Sequence, residues 1–299
     1  MTVKEEFRKT FGSAVRFNEP LAPYTSWQVG GPADYFIAPQ SVEELAEAVC
    51  LGKQFDLPLF VMGNGTNLLV LDGGIRGLVV HVGAAFSYIK RINKGITAGA
   101  GIAMTTLAMK TADEGLSGVE FAAGIPGTLG GAAIMNAGAF GSYIGERIQA
   151  VRLVSENGDT AELTKKELSF GYRSSNLPGK GVLFEADLFL EEGRSDESHR
   201  LIEGFIAERR RRHPEQPSAG SVFRNPPDMP AGKIIEQAGL KGLKIGGAEV
   251  STKHANFIVN TGGATAADIL ALMERVRREV KEKFALALQL EVKIVGEES

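Results

Sequence analysis

Glycine is concentrated in residues 115–145, whose sequence is GLSGVEFAAGIPGTLGGAAIMNAGAFGSYIG. Residues 121–141 carry no charged side chain, although several glycines and one proline interrupt them. Glycine lets a ligand approach the backbone without a Cβ in the way, and closely spaced backbone N–H groups can hold an anion. The stretch therefore predicts a buried, glycine-lined wall for a large cofactor. The run is also about long enough for a transmembrane helix, but Pro126, Asn136 and the glycine content disfavour that alternative.

A second glycine motif, GNGTNLLVLDGG, covers residues 63–74 and follows the apolar run PLFVM, which predicts a buried strand. It begins like the G-x-G-x-x-G motif of dinucleotide-binding folds. However, Leu68 stands at the third glycine position, and LLVL continues as a strand instead of opening a helix. Two interpretations stay open for this loop: it cradles a phosphate with its backbone amides, or it is a plain turn.

The composition is that of a globular protein of one to three domains, with 299 residues, 43% hydrophobic and 23% charged. A net charge of −3 leaves no basic footprint, so nucleic acid is not an expected partner. The four histidines are scattered, which predicts no metal site. The single cysteine, Cys50, fits a reducing compartment and is expected to be a packed thiol on a helix. Since the N-terminus has no signal-peptide core, we expect a cytoplasmic protein without membrane insertion.

Helix and strand patterns alternate along the chain and predict an α+β protein. The clearest helix is 266–284, with Thr265 as N-cap and an apolar stripe. The pattern Ser41–Glu44 opens a helix that ends near residue 54, and Glu156-Asn-Gly-Asp159 predicts a hairpin. A short helix is predicted at 164–167, an exposed linker at 191–197, and a helix at 198–212 that ends on a basic turn. These arginines either match the negative helix end or bind a polyanion.

Six stretches, taken in order, carry a resemblance to a known family. They are YTSWQVGGPADYF (24–36), GNGTNLLVLDGGIRG (63–77), residues 117–145, FGYRSS (170–175), PSAGSVFRNP (217–226) and AGKIIEQAGLKGLKIGGAEVSTKHANFIVN (231–260). Together they resemble the UDP-N-acetylenolpyruvoylglucosamine reductases, flavoenzymes that make UDP-N-acetylmuramic acid for peptidoglycan. Each motif alone is weak, but the ordered set is specific and covers nearly the whole chain.

The resemblance implies a fold and a cofactor. The fold is α+β: an FAD-binding domain of the p-cresol methylhydroxylase and vanillyl-alcohol oxidase type, followed by a C-terminal α+β substrate domain. We expect the FAD-binding region at 1–200, as two subdomains of about 1–80 and 81–200, and the substrate domain at 201–299. The FAD would be non-covalent, because neither glycine motif contains histidine. Its expected contacts are Gly63, Asn64, Gly65, Thr66, Asn67, Leu68, Gly124, Ile125, Pro126, Gly127, Gly130, Gly131, Asn136, Ala137 and Gly138.

The resemblance also implies a reaction. Hydride passes from the co-substrate NADPH to the flavin, and then to the vinyl carbon of the enolpyruvyl group of a UDP-sugar. Arg173 would hold the substrate carboxylate and the developing enolate, Ser221 would donate the proton, and Glu291 would help to polarise the enol. Many family members carry a Glu-Pro-Glu-like sequence where this chain has Gln-Leu-Glu, so the VKIVG that follows sets the match at Glu291.

The sugar nucleotide would be bound by Asn225 and by Arg211 or Arg212, and the choice between the two arginines stays open. The short segment after Arg173 assigns the chain to the subclass without the extra tyrosine loop. Two other functions remain as alternatives: an FAD-dependent sugar or alcohol oxidase on the same fold, and a catalytically silent nucleotide-binding or scaffold protein.

Overall fold

Two units make up residues 2–298, the part of the chain that the computed structural model describes. Unit 1 contains the residues up to Phe17, Tyr35–Gly63 and Gly77–Arg209. Unit 2 contains Asn18–Asp34, Asn64–Arg76 and the residues from Arg210 onward. The chain therefore alternates between the units, and the loop that follows Gly63 belongs to unit 2.

The helices span both units. The α-helices are α1 (Val3–Phe11), α2 (Val42–Gln54), α3 (Met104–Asp113), α4 (Leu129–Met135), α5 (Ser195–Arg212), α6 (Ala231–Gln237) and α7 (Ala266–Phe284). Short 3-10 turns lie at Gly12–Ala14, Ala22–Tyr24, Ala84–Phe86, Glu120–Gly124 and Ile144–Glu146. Helix α7 coincides with its predicted range, because a capping box fixes its start. The Thr265 side chain accepts from the Asp268 N–H, and the Asp268 carboxylate accepts from the Thr265 N–H.

The strands are short, and many consist of two or three residues. In chain order they are β1 (Val15–Pro20), β2 (Pro32–Ile37), β3 (Leu59–Met62), β4 (Leu68–Val70), β5 (Ile75–His81), β6 (Ile89–Ile92), β7 (Gly95–Gly99), β8 (Leu116–Ser117), β9 (Gly138–Ala139) and β10 (Ser142–Tyr143). They continue with β11 (Ile148–Val154), β12 (Thr160–Thr164), β13 (Phe170–Gly171), β14 (Ser174–Ser175), β15 (Val182–Phe189), β16 (Glu191–Glu192), β17 (Lys244–Ile245), β18 (Ala248–Val250), β19 (Ile258–Asn260) and β20 (Lys293–Val295).

Unit 1 is organised around a five-stranded antiparallel sheet, ordered β12-β11-β15-β7-β6. One face of its central strands buries Ile96, Ala98, Ala186 and Leu188 in the core. The opposite face carries Arg152, which donates to Glu185, Asp187 and Glu162. This alternation of apolar and polar faces follows from the two-residue period of a strand.

A second sheet, ordered β1-β2-β5-β3, contains the parallel pair β3 and β5, registered from Leu59 with Leu78 to Met62 with His81. The first glycine of the 63–74 motif therefore follows directly on the carboxyl end of β3. Parallel strands run in one direction, so this edge is where their following loops emerge.

Unit 2 is built on the antiparallel sheet β17-β18-β19, with α7 against its buried face. Trp27 is fully buried there, its Nε1 donates to Ile258 O (2.7 Å), and Asn260 Nδ2 donates to Trp27 O (2.9 Å). Strand β4 pairs in parallel with β20. These long-range contacts explain why 18–34 and 64–76, which the sequence places in its first region, pack in unit 2 instead.

Four local predictions differ from the structure. Strand β3, predicted to be buried, is buried only at Met62, and its Leu59 and Val61 are exposed. Residues 164–167 form a turn closed by Thr164 N and Oγ1, which both donate to Glu167 Oε2, because no apolar run follows to sustain a helix. The predicted linker 191–197 instead contains β16, paired with β8, and the start of α5. Cys50 is exposed, and its Sγ donates to Asn157 O. Among the described residues, no helix combines the length and apolar character needed to cross a membrane.

Candidate active site

The uncharged, glycine-rich run forms several short elements in unit 1. A 3-10 turn at Glu120–Gly124 leads through Ile125–Gly127 to α4, whose N-cap Thr128 accepts from Gly131 N. Helix α4 ends at Asn136, which adopts the left-handed conformation at φ 43°. Gly127 has φ 114°, a conformation that favours glycine. The run is therefore a folded wall of turns and one short helix.

Several glycines of this wall, and Gly63 beside it, lie so close to other atoms of the protein that a side chain would not fit. A Cβ on Gly63 would lie 2.3 Å from Thr128 Oγ1, and one on Gly124 would lie 2.6 Å from Phe140. At Gly138 it would lie 2.3 Å from Tyr143. Gly63 thus rests directly on the N-cap of α4, so the structure brings the first residue of one glycine motif against the other within unit 1.

Gly141 has no atom within 4 Å of such a Cβ, and Gly131 is also open. The backbone of Gly131 is exposed in the first turn of α4, and the nearest atom to a Cβ built there is Thr128 Oγ1 at 3.7 Å. The preceding Pro126 is also exposed. This part of the wall faces open space, and a glycine there leaves the helix backbone accessible to a ligand.

The remainder of the first glycine loop, residues 64–68, lies in unit 2. Gly65 has φ 56° and packs so closely on Tyr24 O that a Cβ would lie 2.3 Å from it. Asn67 Nδ2 donates to Glu291 O (3.2 Å), and Lys293 N donates to Asn67 O (3.0 Å). The loop is therefore tied to the C-terminal segment that carries Glu291.

The segments that carry Ser221 and Glu291 are joined in unit 2 by a short antiparallel pairing. Glu291 N donates to Val222 O (2.8 Å), and Arg224 N donates to Gln289 O (2.8 Å). Both side chains are half-buried. Two of the three predicted catalytic residues thus stand at one end of the same pairing, although 70 residues separate them in the chain.

Asn256, a residue that the sequence did not single out, holds the segment that carries Ser221 on its other side. Its Oδ1 accepts from Phe223 N (2.9 Å), its Nδ2 donates to Phe223 O (2.8 Å), and its backbone oxygen accepts from Val222 N (2.8 Å). It is 2% exposed. An asparagine inside the apolar run ANFIVN was the available signal, since a buried amide must be hydrogen-bonded.

Arg173 lies in unit 1 at the tip of the hairpin formed by β13 and β14. It is the second of two turn residues and has φ 53°, which is uncommon for a residue with a side chain. Its guanidinium lies over the Tyr172 ring, 5.3 Å from the centroid, and Tyr172 is exposed. The positive charge is therefore presented at an exposed turn.

The basic last turn of α5 contains arginines with different surroundings. Arg209 Nη1 donates to Gly124 O (3.0 Å), and burial lowers its pKa. Arg209 therefore supports the glycine wall instead of matching the helix end, whereas Arg211 and Arg212 are exposed. Asn225 Oδ1 accepts from Ala231 N (3.0 Å) at the start of α6, so this oxygen of the predicted substrate ligand holds a helix.

A cavity of about 670 Å³ lies in unit 2 and is lined by Pro214, Glu215, Gln216, Glu249, Ser251, Thr252, Lys253 and Val259. None of the predicted site residues lines it. No cluster of three or more potential metal-ligating side chains occurs within 2–298.

Comparison with known proteins identifies two domains and a family. Residues 33–164 match the FAD binding domain, and residues 212–295 match the C-terminal domain of UDP-N-acetylenolpyruvoylglucosamine reductase. The reductase of Lachnoclostridium phytofermentans is 45% identical over 289 residues, covering 95% of this chain and 93% of that protein. The reductase of Bacillus subtilis is 41% identical over 297 residues, covering 98% of each. The chain belongs to the UDP-N-acetylenolpyruvoylglucosamine reductase family.

Solved structures agree with this family assignment. The Thermus caldophilus reductase superimposes with a TM-score of 0.80 at 38% identity, covering 92% of this chain and 97% of that one. The D396N variant of the moss protein Physcomitrella patens BBE-like 1 has a TM-score of 0.50 at 18% identity over 64% of this chain, a likeness of fold alone. The predicted fold class, an FAD-binding domain followed by the reductase's C-terminal domain, is confirmed.

As a member of the family, the chain is an FAD-dependent oxidoreductase, as the sequence predicts. The wall in unit 1 fits a flavin nucleotide because it is uncharged from 121 to 141 and open at Gly131, where a side chain would occupy the space of a ligand. The N–H groups of Leu129, Gly130 and Gly131 donate within the protein, to Ile102 O, Ala100 O and Thr128 Oγ1, so the fit rests on the open space and the lack of charge. The oxidase and scaffold alternatives receive no support from the comparisons.

Proposed function

We propose that the chain reduces the enolpyruvyl group of UDP-N-acetylglucosamine enolpyruvate to UDP-N-acetylmuramate, a step of peptidoglycan precursor synthesis, at the expense of NADPH. FAD, when bound, would supply the redox chemistry, the transfer of a hydride from NADPH to the vinyl carbon. The observation that carries the proposal is the backbone pairing of Val222 with Glu291, which places Ser221 and Glu291 on adjacent, hydrogen-bonded segments. It occurs in a chain that matches the reductases over 95% of its length.

Ser221 is the proton donor in this proposal. Hydride addition to the vinyl carbon leaves negative charge on the neighbouring carbon and on the carboxylate, and that carbon then takes a proton. A hydroxyl can donate it if it lies within hydrogen-bond reach. The backbone of Ser221 is fixed on one side by the Glu291 segment and on the other by Asn256. Glu291 would polarise the enol system from the adjacent strand.

Arg173 binds the carboxylate of the enolpyruvyl group and stabilises the enolate that develops there. A guanidinium suits both tasks, since it stays charged and offers a planar fork of donors to two oxygens. Its placement on a strained, exposed turn supports the proposal because residues held in unusual backbone conformations cluster at functional sites.

The remaining predicted contacts are distributed over both units. We assign the flavin to the wall formed by Gly124, Ile125, Pro126, Gly127, Gly130, Gly131, Asn136, Ala137 and Gly138, together with the loop Gly63, Asn64, Gly65, Thr66, Asn67 and Leu68. The UDP portion is assigned to unit 2, where Asn225 and the exposed Arg211 or Arg212 can meet uridine and diphosphate. We place the reaction in the cytoplasm, where NADPH and nucleotide sugars are made.

Anaerobic stopped-flow absorbance tests the proposal, with Ser221→Ala compared to the wild type and to Ser218→Ala, a control in the same loop. NADPH should bleach the flavin equally fast in all three proteins. Reoxidation by the UDP-enolpyruvyl sugar should slow by about 100-fold or more in Ser221→Ala alone, because only this half-reaction requires the proton. Equal slowing of both halves in Ser221→Ala would refute the role of Ser221. A wild-type flavin that NADPH does not bleach would refute the reaction.

A further inference from the structure

Asn136, predicted above as a flavin contact, uses its side chain inside the protein. Its Oδ1 accepts from Gly145 N (3.0 Å), and its Nδ2 donates to Gly171 O (2.9 Å). The residue is 7% exposed, so both polar ends of a buried amide are engaged by backbone groups. Gly171 lies in the hairpin that carries Arg173 and is two residues from it.

Two further contacts tie the same hairpin to the glycine wall. Ser175 Oγ donates to Ile134 O (2.8 Å) in the last turn of α4. On the other strand, the Phe170 ring lies against Gly145, where a Cβ would come within 2.5 Å of Phe170 Cγ. Both strands of the hairpin are therefore fixed to the wall, and the turn between them is left at the tip.

The turn needs such anchoring because of its conformation. Arg173 adopts φ 53°, a left-handed region that is unfavourable for a residue with a Cβ. A conformation of this kind persists when its surroundings over-determine it. The bond to Gly171 O fixes the strand that leads into the turn, and the bond from Ser175 fixes the strand that leaves it.

We propose that Asn136 is a positioning residue for Arg173. Its amide fixes the hairpin on the end of α4 and so sets where the guanidinium meets the substrate carboxylate. The inference rests on the proposed role of Arg173. It explains the asparagine at this position by its hydrogen bonds to the hairpin and to Gly145, and no longer by a contact of its side chain with the flavin. The backbone of Asn136 can still line the wall.

The choice of asparagine follows from three simultaneous requirements at this position. The cap of α4 needs the left-handed conformation (φ 43°, ψ 55°), which glycine and asparagine adopt most readily. Gly145 N needs an acceptor, and Gly171 O needs a donor. Glycine meets only the first requirement, and ionised aspartate offers only acceptors. Asn136→Gly therefore removes both bonds while retaining the backbone conformation, and Asn136→Asp removes the bond to Gly171.

The test uses the FAD-loaded holoenzyme and follows the two half-reactions separately in Asn136→Gly, Asn136→Asp, Arg173→Ala and the double variant Asn136→Gly/Arg173→Ala. In Asn136→Gly, with rates normalised to bound FAD, bleaching by NADPH should slow less than reoxidation does. Reoxidation by the UDP-enolpyruvyl sugar should slow about 10- to 100-fold, the loss expected when a catalytic group is misplaced by about 1 Å. Asn136→Asp should slow the same half-reaction.

The double variant separates positioning from general damage. If Asn136 acts through Arg173, adding Asn136→Gly to Arg173→Ala should slow reoxidation by less than twofold, because interacting residues are non-additive. Hydrogen–deuterium exchange gives a readout without turnover: in Asn136→Gly the Gly145 amide and the 170–175 peptide should lose protection. Ser175→Ala, which removes the other hydrogen bond, should raise exchange in 174–177.

Several outcomes would overturn the inference. If Asn136→Gly slows reoxidation equally in the presence and absence of Arg173, then Asn136 does not act through Arg173. If Asn136→Gly loses FAD or slows both half-reactions to the same extent, then Asn136 acts on the flavin-binding wall. If Asn136→Gly does not fold, unaltered reoxidation in both Asn136→Asp and Ser175→Ala would overturn it. Normal reoxidation in Arg173→Ala would instead refute the proposed role of Arg173 itself, and with it the positioning role.

Discussion

Replacing Asn256 by alanine should destabilise unit 2 and slow proton donation by Ser221. The side chain makes two hydrogen bonds to Phe223, through N–H···Oδ1 at 2.9 Å and Nδ2–H···O at 2.8 Å. Asn256 and Phe223 are 2% and 1% exposed, so alanine leaves a buried N–H and a buried C=O without these partners. Each such loss costs about 1–3 kcal/mol. Water entering the vacated space recovers part of this, so we expect about 2–4 kcal/mol.

The assay is urea unfolding of the holoenzyme, combined with stopped-flow reoxidation of the reduced flavin by the UDP-enolpyruvyl sugar. Asn93→Ala, at an exposed turn, should stay within about 0.5 kcal/mol of wild type. Asn256→Asp should also be destabilised, because its carboxylate would face Phe223 O. A loss below 1 kcal/mol in Asn256→Ala would refute the structural reasoning. If Asn256→Ala shows the expected destabilisation but normal reoxidation, proton donation by Ser221 does not depend on the hydrogen bonds of Asn256.

Three further perturbations follow from the structure. Burial raises the pKa of Asp187, but hydrogen bonds from Arg152 and Thr97 outweigh this effect and hold the pKa below its usual value. The ionised Asp187 therefore stabilises the folded protein above about pH 4, and this stabilisation is lost as the pH falls through the lowered pKa. Arg152→Met should therefore cost about 1–3 kcal/mol at pH 7, with a gap in urea midpoint that narrows below pH 4; a constant gap would contradict the pairing. Gly127→Val, at φ 114°, should lose flavin absorbance after gel filtration, whereas a fully yellow variant would show that the wall does not face FAD. Gly158→Ala would place a Cβ 2.2 Å from Cys50 Sγ and would force alanine into a backbone conformation with φ 83°, so it should lower the thermal midpoint of unfolding by several degrees. Adding Cys50→Ala removes the clash but not the backbone strain, so it should recover only part of the loss.

Features set by neighbouring residues were predictable from the sequence. Helix α7 and the hairpin of β11 and β12 form where predicted, because a capping box and an Asn-Gly turn act over a few residues. The same locality produced the error at 164–167, where a capping pattern closes a turn and no helix follows.

Features that depend on distant partners were not predictable. Trp27 gives no sign in the sequence that its indole will donate to Ile258 O, and this bond draws residues 18–34 into unit 2. Asn136 and Asn256 look like ordinary polar residues until the backbone groups they bond, at Gly171 and Phe223, are in place. The family resemblance supplied Ser221 and Glu291, but the hydrogen-bonded pairing that joins their strands is a tertiary fact.

The parallel pairing of β4 with β20 has a consequence for synthesis on the ribosome. Leu68 registers with Lys293, which lies 225 positions later in the chain. The ribosome makes the first partner long before the second, so strand β4 cannot reach its final pairing until residues 293–295 have emerged. Such late, non-local closure is slow. Nascent chains that stall before residue 293 would expose an apolar edge at Leu69 and Val70, which are fully buried in the finished protein, and should depend on chaperones until release.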